Sequence, residues 1–162
     1  MSAFSLVYTR ALPAIKSDDA NIPYPAPAQI GRNTNVVAPN VLYDTSATFT
    51  TNSIAAGDIV YNTTDGTAAT VVSVGSQVSL VLNADIFTAI NKDYVIYQAS
   101  SQTTIGNYGC YLYIGGAGNV SVTTIGGDVV TFTAVPVGTV LPVQVKKLAA
   151  TLTTATNIIA LW

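Results

Sequence analysis

The stretch ATVVSVGSQVSLVL, residues 69–82, decides the fold class. Val72 and Val74 alternate with Ser73, the trio Gly75, Ser76 and Gln77 interrupts, and Val78, Leu80 and Leu82 resume the alternation. A period of two is that of a strand with one buried face, and two such runs around a short polar break form a hairpin. A three-residue loop at 75–77 sets Val74 opposite Val78 and Val72 opposite Leu80, with all four on one face. A two-residue loop scrambles the faces. The spacing therefore predicts the three-residue loop.

The same pattern extends to both sides. Upstream, GDIVYNTTDGT (57–67) supplies a strand over Ile59–Asn62 and a tight turn at Asp65-Gly66. Downstream, NADIFTAINKD (83–93) reads as a helical turn leading to a strand over Tyr94–Gln98. Further on, Val120 and Val122 alternate with Ser121 and Thr123, and Val130, Phe132 and Ala134 alternate with Thr131 and Thr133. An odd loop at Gly126, Gly127 and Asp128 pairs Val122 with Phe132 and leaves the threonines on the other face. Pro136–Gly138 turns the chain, Leu141–Leu148 forms a further strand, and NIIALW (157–162) closes the sheet as a buried strand. Short strands rich in Thr, Val, Ile and Tyr, with no long 3.6-residue period, define an all-β protein of β-sandwich or small barrel modules.

The N-terminus reads differently. After a strand-like piece over Phe4–Leu12, PYPAPAQ (23–29) is held extended by its prolines. Extended backbone without internal hydrogen bonds needs partners. The expected organisation is an extended N-terminal arm over 1–36, a barrel-like module over 37–100 and a sandwich module over 101–162, with Pro23, Tyr24, Pro25, Pro27 and Arg32 of the arm as candidate contacts to a neighbouring subunit.

Composition narrows the function. Charged residues make up 9% of the chain, with eight aspartates, no glutamate and no histidine, and 49% is hydrophobic. An ordinary soluble domain carries about 25% charged residues, so Thr, Ser, Asn, Gly and Ala must cover this exterior, which suits a subunit covered by its neighbours. The net charge of -2, with six basic residues scattered apart from Lys146-Lys147, offers no footprint for a phosphate backbone, and direct nucleic-acid binding is not expected. Gly, Tyr, Ser and Asn break the uncharged stretch between Asp93 and Asp128, and no membrane span or secretory leader is expected.

Candidate chemistry is sparse. General acid–base catalysis, zinc ligation and activation of a nucleophile all lean on imidazole, which is missing. Asp58, Asp65, Asp85 and Asp128 could supply a glycosidase pair, but each stands beside turn residues and reads as a turn cap. GGAGN (115–119) reads as a bulged hairpin loop, since no helix follows it to hold a phosphate. Cys110 lacks cationic neighbours in sequence and reads as structural. No catalytic residue, cofactor or metal is expected. Tyr108, Tyr111 and Tyr113, at near-alternating positions, form a possible glycan or partner face.

The segments DDANIPYP (18–25), NVLYDTSATFTTNSIAAGDIVYNTTDGTAATVVSV (40–74), LNADIFTAINKDYVIY (82–97) and the chain from Gly109 to Trp162 resemble modules of small virion structural proteins of tailed bacteriophages, with GDIVYNTTDGTAATV (57–71) and TATNIIALW (154–162) the most distinctive. Within that class the resemblance is to capsid decoration, or cement, proteins. It implies a non-enzymatic homo-oligomer, dimer or trimer, made in the host cytoplasm. Such a protein sits on the outer face of the phage head and bridges copies of the major capsid protein. A tail, fibre or neck component, receptor- or glycan-binding through the tyrosines, is the alternative.

Overall fold

The computed structural model describes residues 7–99 and 109–162. Twelve strands follow one another among them: β1 (Ala11–Pro13), β2 (Pro27–Arg32), β3 (Val41–Tyr43), β4 (Ile59–Asn62), β5 (Thr67–Ser76), β6 (Ser79–Leu82), β7 (Asp93–Tyr97), β8 (Tyr111–Gly116), β9 (Gly118–Thr124), β10 (Val129–Val135), β11 (Val145–Leu148) and β12 (Thr156–Leu161). The protein is all-β, and every pairing between these strands is antiparallel. Residues 83–92 make bends rather than the expected helical turn. Asn33 holds them in place, its Nδ2 donating to Ala89 O and its Oδ1 accepting from Lys92 N.

The first module is a six-stranded sheet in the order β2-β7-β4-β5-β6-β3. The long strand β5 curls it. Its first half pairs with β4, its second half with β6, and a register shift lies between Val71 and Ser73. A bulge of this kind bends a strand and tightens its twist, which lets one sheet close around a core. That core holds Leu42, Phe49, Val60, Val71, Leu80, Leu82, Phe87, Tyr94 and Ile96.

The β5–β6 hairpin differs from the expected one. Ser76 pairs with Ser79 across a two-residue turn, Val74 faces Leu80, and Val71 faces Leu82. The turn is set by serine chemistry, with Ser76 Oγ accepting from Val78 N and lying 2.9 Å from Ser79 Oγ. The register shifts then put Val71 inside, and Val72 is 53% exposed.

The second module joins two three-stranded sheets, β1-β12-β8 and β10-β9-β11. Bridges from Cys110 to Val145 and from Tyr113 to Val140 tie β8 to the chain that becomes β11. The enclosed core contains Leu112, Ile114, Val120, Val122, Leu148, Ile158 and Ala160. Only Val145–Leu148 of the expected 141–148 strand is regular, and β12, central in its sheet, has Ile158 and Ala160 buried. The β9–β10 register is two residues away from the expected one: Val122 faces Val130 and Val120 faces Phe132. A slip of two preserves the faces.

The GGAGN segment is not a hairpin loop. β8 and β9 belong to different sheets, and this stretch carries the chain from one to the other. Its glycines are required by crowding: a Cβ on Gly115 would lie 2.5 Å from Asn157 O, and one on Gly118 would lie 2.5 Å from Ala155 N.

Residues 7–36 of the expected arm pair within their own chain where they are regular. β1 adds to β12, and β2 adds to β7. The connection between them runs between the modules. Ala14 N and Ser17 N donate to Ile158 O and Leu148 O, Ile22 N donates to Lys146 O, and Ser17 Oγ donates to Ala68 O on β5. A third cluster, Ala20, Ile59, Tyr61, Ala68 and Tyr97 with Leu12 and Ile15 against it, fills the seam, so β4 is buried on both faces.

Candidate functional surface

Alternation on β8 sends Leu112 and Ile114 into the core and leaves Tyr111 and Tyr113 half-buried on the opposite face. Tyr108 lies outside the described residues. Tyr113 pairs with Ile159 and bridges Val140, so it is integrated into the sheet. Tyr111 gains a partner that local pattern could not reveal. Tyr8 packs against it with ring centroids 5.8 Å apart and planes at 58°. A pocket of about 430 Å³ opens there, lined by Tyr8, Tyr111, Val140, Leu141 and Pro142. The Tyr8 hydroxyl is buried without a hydrogen-bond partner.

The candidate contacts of the N-terminal stretch separate into two groups. Pro23 is buried, and Tyr24 packs edge-on against Trp162 at 5.7 Å and 76°, with the Arg10 guanidinium 5.6 Å from its ring centroid. Arg10 Nη1 also donates to Pro25 O at 3.1 Å. Pro23, Tyr24 and Pro25 thus help seat the N-terminal stretch on its own C-terminus. Pro27 and Arg32 stand exposed at the two ends of β2. Arg32 grips Asp93 on β7 in a two-pronged pair, Nε to Oδ1 at 2.7 Å and Nη2 to Oδ2 at 3.1 Å.

The aspartates serve local backbone and side chains. Asp58 Oδ2 accepts from Ala55 N and its Oδ1 from Ala99 N, Asp85 Oδ1 accepts from Asn40 N, and Asp128 is tied to Thr124. Asp65 accepts from Lys92 and Asn62, which hold its carboxyl below the usual range. Burial pushes the Cys110 thiol up to about 12, so at neutral pH it is a protonated hydrophobe, not a nucleophile. Among the described residues no three His, Cys, Asp or Glu side chains are grouped to hold a metal, and no helix is long and apolar enough to cross a membrane.

The apolar pattern puts threonines on the outer face of the β9–β10 hairpin and does not reveal the apolar side chains exposed around it. Val129 at 75% and Val130 at 40% exposure project from opposite faces of β10, Ile125 at the end of the hairpin is 40% exposed, and Val137 beyond β10 is 61% exposed. The signal was present in VVTFTAV (129–135), which has no charge and no proline; it read simply as a strand with one apolar face. The surface belongs to an all-β protein with one curled six-stranded sheet and two three-stranded sheets. No protein-family model matches the chain, and no curated protein or solved structure matches it significantly.

Proposed function

We propose that this protein is a non-enzymatic structural subunit of a phage virion, a decoration protein that reinforces the head by bridging neighbouring copies of the major capsid protein. The observation that carries the reading is the nearly chargeless exterior around β10, where Ile125, Val129, Val130 and Val137 stand exposed among threonines. A surface of that kind desolvates cheaply, and many modest contacts on a repeating lattice sum to firm attachment. The sequence resemblance to virion modules points the same way.

The test is the number of copies per virion, measured by quantitative mass spectrometry against the major capsid protein. A ratio near one per capsid subunit is expected; a handful of copies moves the protein to the neck, tail or fibre. Attachment is then mapped with surface substitutions rather than truncation, because deleting residues 1–30 would strip β1 and most of β2 from their sheets.

The Tyr8–Tyr111 pocket favours a second reading, a glycan- or receptor-binding part of the tail. An aromatic pair is a stacking platform for a sugar ring. Saturation-transfer NMR with host-surface polysaccharide tests it: a signal lost in Tyr111→Ala supports this reading, and no signal with the native protein ends it.

A further inference from the structure

We infer that β10 is a self-association edge, on which a second copy of this chain adds its own β10 antiparallel across a two-fold axis. The inference rests on comparing the outer strands of the sheets, of which β8 is covered through the bridge from Tyr113 to Val140 and β11 carries Lys146 and Lys147. β2 begins at Pro27 and ends in the Arg32–Asp93 ion pair. β3 is flanked by the Asn35 bridge to Tyr43. β1 has three residues, ends in Pro13 and follows Arg10. Prolines, charges, short length and covering segments are the devices that protect a sheet edge from pairing with another chain. β10, paired only with β9, has seven residues and neither proline nor charge. Its one irregularity, between Phe132 and Val135, leaves Val129–Phe132 in regular register.

The pairing pattern says which backbone groups are free. Thr124 N donates to Asp128 O at the closed end of the hairpin, so alternation directs Val130 and Phe132 toward β9 and Val129 and Thr131 away from it. A second copy presents the same free groups in the reverse direction. A two-fold axis satisfies both strands at once, and no like charges meet across it. The regular stretch Val129–Phe132 is about 14 Å long, and a strip about 10 Å deep covers roughly 140 Å² per copy. That is well short of the roughly 800 Å² per partner of a standard stable interface, so the dimer is weak in free solution and is reinforced where copies are already held side by side. The inference supplies a partner for the subunit read above, and the free protein tests it separately from capsid attachment.

Sedimentation equilibrium of the full chain up to about 1 mM is expected to show a monomer–dimer equilibrium. Thr133→Lys and Val129→Lys, each at an exposed site, place a charge on the pairing edge of both strands, the device that blocks edge-to-edge pairing, and should raise the dissociation constant by at least about tenfold. Circular dichroism establishes that the variants fold. Amide exchange followed by NMR should show the Val129 and Thr131 amides gaining protection as concentration rises. A monomer throughout the range overturns the inference, as does a dimer that both lysine variants leave intact. Protection of these amides only when capsid protein is added also overturns it and transfers the edge to that partner.

Discussion

The hydroxyl of Tyr94 donates to Asp44 Oδ2 across 2.7 Å inside the first module, where both residues are buried. The bond anchors the loop after β3 to β7, and Gln29 Nε2 reaches the same hydroxyl from β2 at 3.4 Å. Asp44 Oδ1 is occupied by Ser46 N, so Tyr94 is the donor that serves the other oxygen. Tyr94→Phe leaves that oxygen buried and unserved, a loss of about 1–3 kcal/mol. Urea denaturation should show the midpoint falling with the slope unchanged. Gly31→Ala should produce a similar loss, because its Cβ would intrude on the Tyr94 hydroxyl and lie 2.7 Å from Asp44 Oδ2.

Alkaline pH should destabilise the protein through its buried phenols and thiol. Burial raises the phenols of Tyr61, Tyr94 and Tyr97, for Tyr94 with help from Asp44, and burial also raises the Cys110 thiol. The unfolded chain releases these protons near pH 9.0 for Cys and 10.0 for Tyr, while the folded chain holds them to higher pH. Above those values the folded state binds more protons, so stability is full below pH 9.0 and falls as pH rises. Each group contributes up to about 1.4 kcal/mol per pH unit. Denaturation midpoints measured across this range should decline, and Cys110→Ala should delay the onset. A flat profile contradicts the burial of these groups.

The crossing between β8 and β9 should be intolerant of side chains. Gly118 has φ +154°, and its missing Cβ is what lets Ala155 N approach. Gly118→Ala forces the 154–157 strand entry outward, at a cost of about 1–3 kcal/mol. Gly127→Ala is a useful contrast: its φ of +99° is strained for alanine, but nothing lies within 4 Å of the added atom. Thermal melts should rank Gly118→Ala as the more damaging of the two.

What the sequence made legible follows from the range of each interaction. Alternation is local, so the strands around Val120 and Val130 could be read directly, and the short run Ile59–Asn62 ahead of the Asp65-Gly66 turn marked β4. Register was not, because Ser76 with Ser79, and Thr124 with Asp128, close their hairpins through side-chain bonds that the apolar pattern does not encode. GGAGN announced a break in β structure, but the reason for its glycines is a neighbour about forty positions later, at 154–157. The tyrosine pattern located Tyr111, whereas the arrival of Tyr8 beside it depends on β1 joining β12. The proline-rich stretch looked in need of outside partners because its own partners, Arg10 and Trp162, sit at opposite ends of the chain.

Ser17 should prove to be the strongest single polar tie between the modules. It is buried, its N–H donates to Leu148 O on β11, and its hydroxyl donates to Ala68 O on β5 while accepting from Asp19 N and Ala20 N. Ser17→Ala removes the hydroxyl and leaves those groups to find other partners in a seam packed with Ile59, Tyr61 and Tyr97. The expected loss is about 1–3 kcal/mol. Hydrogen exchange gives the finer readout. If Ser17 couples the modules, amides of β4 and β5 should exchange faster in the variant while those of β9 and β10 are unchanged; a uniform acceleration would mean that the whole chain unfolds as one unit and that the seam has no separate opening.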